Sequence, residues 1–126
     1  MIGYVTIGAL DVEKALPFFD NVLGAIGYER AFFSGGWAGY GPKGEEAQNI
    51  YVCPPHDGEA ARAGNGIMVG LLAPSKDAVQ AAHAAALAAG GKDEGAPGPR
   101  PADSTSFYGA YFRDLTGNKY CVFARG

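Results

Sequence analysis

The sequence holds only two cysteines, Cys53 and Cys121, and two histidines, His56 and His83. Neither cysteine stands in a C-x-x-C pair or a multi-cysteine framework, which argues against a disulfide-stapled secreted scaffold and for a reducing compartment. The 10 Lys and Arg residues form no basic run, and the formal net charge of −3 excludes the electrostatic footprint of a nucleic-acid binder. Long hydrophobic runs are also missing. The longest low-polarity stretch, Ala84 to Gly91, is too short and too rich in Ala and Gly to span a membrane or direct export, and no basic segment leads into an apolar one at the N-terminus. The expected location is the cytoplasm, with neither nucleic acid nor membrane as partner. No G-K-[ST] follows the Gly-Pro stretch from Gly95 to Pro101, so it is no phosphate loop.

Glycine and proline, at 20 and 8 residues, fall between periodic segments and act as turn punctuation. The segments between them repeat. Tyr4 to Asp11 and Met68 to Ser75 are each a short apolar strand ending at a helix cap, and a shift of 64 residues, about half the 126-residue chain, superimposes them cap on cap. The pattern predicts two βα-type modules in tandem with a site between them. After Asp11, the apolar residues Val12, Ala15, Leu16, Phe19, Val22, Leu23 and Ile26 recur at helical spacing, with Pro17 expected to kink the helix. Strands are predicted at Tyr28 to Ser34, Trp37 to Tyr40 and Asn49 to Cys53. Residues 54–65 form an exposed linker between modules 1–53 and 66–126 of one domain. The second module predicts a strand from Ile67 to Ala73, a helix capped by Ser75 and closed by Gly90-Gly91, a strand stub and long loop over 94–103, and a hairpin of Phe107 to Arg113 and Asn118 to Phe123.

These segments together, with the hairpin turn Arg113-Asp114-Leu115-Thr116-Gly117-Asn118 as the most specific piece, resemble the vicinal oxygen chelate superfamily. That group contains glyoxalases, bleomycin-resistance proteins and extradiol dioxygenases, and the turn is similar to its R-D-P-D-G-N hairpin. The resemblance implies an α+β fold in which tandem βαβββ modules form a cup. It also implies, for metal-dependent members, a divalent ion held by the first and last strands of each module. Those ligand positions fall at Tyr4, Tyr51, Met68 and Cys121. None is a histidine or a carboxylate.

Alternation places the same four residues independently. Val5, Ile7, Ile50, Val52, Val69, Leu71, Tyr120 and Val122 are predicted to face the helices, which leaves Tyr4, Tyr51, Met68 and Cys121 lining the cup. Such a set is a poor site for Mg, Mn, Fe or Ni, so no metal cofactor is expected; a soft ion on Met68 and Cys121, or a displaced site near His56, Asp57 and Glu59, is the alternative. His83, on the helix stripe at the repeat position of Phe19, reads as a core histidine, and His56 as part of a solvated turn. Asp114 is expected to shape its hairpin with Arg113 as ion-pair partner. Cys121 reads as a structural thiol, or as a nucleophile if its pKa is lowered, with Lys119 beside it on the same face.

An aromatic, largely apolar cup remains, with Trp37, Tyr40, Tyr51, Tyr4, Phe107, Tyr108, Tyr111 and Phe123 as its candidate wall and Met68 and Cys121 on its floor. Rings with polar tips suit a flat or amphiphilic ligand, although the same rings also serve to fill a core. Two functions compete: a metal-free protein that binds a small molecule, expected as a homodimer with its cleft between subunits, and a lyase or dioxygenase of the same superfamily.

Overall fold

The computed structural model describes residues 1–126. The first module runs β1 (Val5–Gly8), α1 (Val12–Gly24), β2 (Tyr28–Ser34), β3 (Trp37–Pro42) and β4 (Ile50–Cys53). The second repeats it as β5 (Met68–Leu72), α2 (Lys76–Ala88), β6 (Lys92–Pro99), β7 (Tyr108–Arg113) and β8 (Lys119–Ala124). Both helices begin where the repeat predicts. The Asp11 carboxylate accepts the Lys14 N–H and the Ser75 hydroxyl the Ala78 N–H, each at 3.1 Å, satisfying first-turn donors that would otherwise be orphaned. At the end of α2, Gly90 takes a φ of 96°, and the N–H groups of Gly90 and Gly91 return to Leu87 and Ala86. Pro17 does not break α1, which continues through it on its exposed side to Gly24.

The strands form two four-stranded sheets, ordered β1-β4-β3-β2 and β5-β8-β7-β6, with β1 parallel to β4 and β5 parallel to β8. This is the expected α+β arrangement. The register fixes the faces: Ile7 pairs with Val52 and Leu71 with Val122, all four buried, so both strand pairs turn the same parity toward the helices. On that side the two modules share one apolar core. Phe19 of α1 sits between them, its ring centroid 6.2 Å from Tyr40 of the first sheet and 6.3 Å from Tyr120 of the second, while Phe18 lies 6.0 Å from Phe112.

Two stretches differ from expectation. Residues 94–103 are not a stub and a loop, because β6 extends to Pro99 along β7 through two register irregularities. It is an edge strand, where Pro97 and Pro99 need no outward ladder donor. The linker is mostly exposed, but Ala61 is buried beside Gly8.

The Asp114 turn ties the modules together. Its buried carboxylate accepts the N–H groups of Thr116, Gly117 and Asn118, the Asn118 amide and, at 2.6 Å, the Tyr120 hydroxyl. Asn118 Nδ2 then donates to the Gly8 carbonyl at 2.9 Å, and the Leu10 N–H donates to Thr116 Oγ1 at 3.0 Å, so the second module's hairpin grips the end of β1. Arg113 is not its partner. The guanidinium instead meets Glu94 at 2.7 Å across β7 and β6, because Arg113 points to the face opposite the Asp114 network.

Asp114→Ala strips an ionised acceptor from several buried donors, so it is expected to lower unfolding free energy by about 4 kcal/mol. Urea denaturation measures it. The exposed Glu46→Ala should shift stability by less than about 0.5 kcal/mol.

Candidate ligand-binding site

The faces turned away from the helices carry the candidate site. On the first sheet, Thr6 pairs with Tyr51 and Gly39 stands opposite Tyr51 on its other side, which puts Tyr4, Thr6, Tyr51 and Trp37 on one face. Their rings cluster: Tyr51 lies 5.3 Å from Tyr4 and 5.9 Å from Trp37, both edge-on, and 6.3 Å from Phe32. Phe32 covers Gly39, where an added Cβ would collide with its ring. The cluster is open to solvent, with Tyr4 62% and Trp37 40% exposed.

On the second sheet, Tyr111 stands across the ladder from Cys121, and Gly70 flanks Cys121 on the other side. Met68 pairs with Lys119, and Leu72 with Phe123, which stacks on Phe107 at 5.2 Å. Two cations overlie Tyr111: the Arg100 guanidinium is 5.6 Å and Lys119 Nζ 5.9 Å from its ring centroid. Arg100 donates to the carbonyls of Ala96 and Pro99 and has no carboxylate partner. Sequence reading missed Arg100, which reaches the site only because β6 is a full strand that carries residue 100 back over its own glycines. Tyr4, Met68, Gly70 and Leu72 line a groove of about 440 Å³ between the edges β1 and β5.

Two expected wall residues are elsewhere. Tyr108 pairs with Ala124, a helix-facing position, and its hydroxyl accepts from Gln80 of α2 at 2.8 Å. Tyr40 is fully buried on the helix side, donating to Asp20 at 2.8 Å, with Arg30 on the same carboxylate at 3.0 Å. Burial first, then that carboxylate, pushes the Tyr40 hydroxyl far above its ordinary value. Tyr108 has the parity of Ala110 and Phe112, so alternation itself held the signal that removes it from the cup.

The remaining polar candidates fall where expected. His83 is buried on the core side of α2, its Nε2 3.0 Å from Asp93 Oδ1. The Gly95 N–H and then His83 hold that carboxyl below the usual range. His56 is exposed in a turn whose Asp57 carboxylate accepts the Glu59 N–H.

A family model described as the glyoxalase/bleomycin resistance protein/dioxygenase superfamily matches residues 1–122. The chain belongs to this superfamily. A glyoxalase/bleomycin resistance protein from Albidiferax ferrireducens is 33% identical with a TM-score of 0.86, each chain covered over 97% of its length. A family enzyme from Burkholderia phytofirmans (18% identity, TM-score 0.70, 98% and 97% covered) and a glyoxalase-related enzyme from Fulvimarina pelagi (16%, 0.73, 98% and 87%) share the fold. No curated protein matches the chain.

Superfamily membership raises the question of a divalent metal, and the cup-face donors do not fit one. On β1 and β5 these positions hold Tyr4, Thr6, Met68, Gly70 and Leu72; on β4 and β8 they hold Tyr51, Cys53, Lys119, Cys121 and Phe123. There is no imidazole or carboxylate among them, so a one-step shift along either strand on that face would not restore a ligand set. Nor does any group of three His, Cys, Asp or Glu side chains come together elsewhere. His56, Asp57 and Glu59 do not form such a group.

Cys121 is 3% exposed, and burial pushes its thiol up against the smaller opposing pull of Tyr111 and Arg100; burial also raises Cys53. A raised pKa lowers the thiolate fraction at neutral pH, the reverse of an activated nucleophile. In the folded protein at pH 7.5, both cysteines should therefore alkylate with iodoacetamide at least about tenfold more slowly than in urea, as followed by intact mass.

Proposed function

We propose that this superfamily member binds a small, partly aromatic or amphiphilic molecule in a metal-free cup, and that two copies of the chain complete the cup. The donor chemistry carries this reading. Where a divalent ion would need imidazole and carboxylate, the cup face offers two phenols, a thioether and a buried thiol. Aromatic side chains with polar tips hold a flat ligand by stacking and a few hydrogen bonds, for which the Tyr4, Tyr51 and Trp37 cluster is suited.

What one chain leaves uncovered supports the homodimer reading. β1 and β5 are both sheet edges, and neither pairs with the other across their groove. Along them Ile2, Tyr4, Ile67, Met68 and Leu72 are exposed, with Met68 at 47% and Leu72 at 55%. An apolar, unpaired edge of this kind is a surface that proteins ordinarily cover. A second copy supplies matching edges and sets one subunit's aromatic face against the other's Tyr111 and Cys121. Light scattering should give a dimer for the native protein and a monomer for Leu72→Glu.

Restoring the missing donors tests the placement of the cup. The triple variant Tyr4→His, Met68→His, Cys121→Glu should gain stoichiometric binding of Zn(II) or Ni(II) by calorimetry over the native protein run in parallel. No gain would count against the cup as placed. Ligand screening has a built-in reporter, since Trp37 is the only tryptophan and stands in the aromatic cluster. A bound small molecule should change its emission and raise the melting temperature.

A further inference from the structure

Two cavities meet at Lys119. One, of about 180 Å³, lies where β1 approaches the start of β8 and is lined by Thr6, Gly8, Arg62, Asn118 and Lys119, among others. The second, of about 400 Å³, lies beneath residues 63–68 and is lined also by Arg113 and Lys119. Neither lining contains an Asp or Glu, although the chain carries 13 acidic residues against 10 basic ones. Of the three cations that reach these cavities, only Arg113 is neutralised, by Glu94 at 2.7 Å. Arg62 and Lys119 make no ion pair. Glu94 also lies within Coulombic range of Lys119, so these three cations share one carboxylate, and such an excess of like charge in a concavity focuses a positive potential on the space between them.

That space opens onto the cup. Thr6, Met68 and Lys119 are all cup-face positions, and Lys119 Nζ stands 5.9 Å from the Tyr111 ring centroid. Beyond Tyr111 and Cys121 the sheet has room for an apolar body. An added Cβ at Gly70 would meet only the Phe123 ring, at an ordinary 3.7 Å. We infer that the cup's ligand is an organic oxyanion, its charged end held by Lys119 and Arg62 beside Thr6 and Asn118, and its apolar body lying along Tyr111 and over Gly70. The inference rests on the reading of the cup as a small-molecule site and adds the charge of the molecule it takes. A carboxylate and a phosphate monoester share the required chemistry.

Calorimetric titration of the native protein with 2-naphthoate, 2-naphthyl phosphate and the neutral 2-naphthamide tests it. Either anion should bind at least about tenfold more tightly than the amide, since a charge-assisted contact is roughly twice as strong as a neutral one. The anion that shows the preference names the headgroup. Arg62→Gln/Lys119→Gln should erase the preference. Lys119→Gln alone should cut it severalfold, which keeps the test available if the double variant does not fold. Gly70→Ala, whose added Cβ the local space accommodates, should weaken all three probes. Equal binding of anions and amide to the native protein would overturn the inference while leaving the cup intact. A preference left undiminished in Lys119→Gln would also overturn it, and binding of none of the three would overturn it together with the cup reading.

Discussion

The ring of Phe19, lodged between Tyr40 of one sheet and Tyr120 of the other, is the contact on which the arrangement depends. It is a residue of the first module completing the core of the second. Because the helix-facing sides of both sheets share that core, their other sides are released from packing and become available for a ligand. The two tyrosines keep their bodies in the core only because each hydroxyl finds a carboxylate, Asp20 for Tyr40 and Asp114 for Tyr120. Asp114 serves twice, since the Asn118 it orients also holds the Gly8 carbonyl and so fixes the end of β1 against the second module.

The duplicated strand-to-cap segments were legible because their signal is local. Period-two alternation and a capping side chain depend on neighbours in sequence, and the observed pairing of Ile7 with Val52 and of Leu71 with Val122 follows from them. The same alternation put Tyr4, Tyr51, Met68 and Cys121 on the cup face. It failed only where residue type was weighed above parity, as at Tyr40 and Tyr108, whose rings are aromatic like the others but point into the helices. The length of β6 was hidden by its prolines, which an edge strand tolerates and a central strand does not. Lys119 meets Arg62 at one cavity and shares the Tyr111 ring with Arg100 through the paths of a linker and a sheet edge, and no spacing in the sequence encodes either meeting.

Membership in the superfamily settles the architecture, while the chemistry is set by substitutions within it. A phenol, a thioether and a buried thiol in place of imidazole and carboxylate remove the electrostatic reason for a divalent ion to reside in the cup. Beside the cup face, Lys119 borders two cavities whose linings hold cations and no Asp or Glu. On the reading proposed above, an apolar floor with a cationic rim would select a ligand by shape and charge, with no contribution required from a metal.

The measurement that bears most directly on this account is the metal content of the purified, untagged protein at neutral pH without added metal, by mass spectrometry. The account predicts far less than one equivalent of any transition or alkaline-earth metal per chain. Close to one tightly held metal per chain would contradict it, and would make His56, Asp57 and Cys121 the first residues to substitute in search of the ligands.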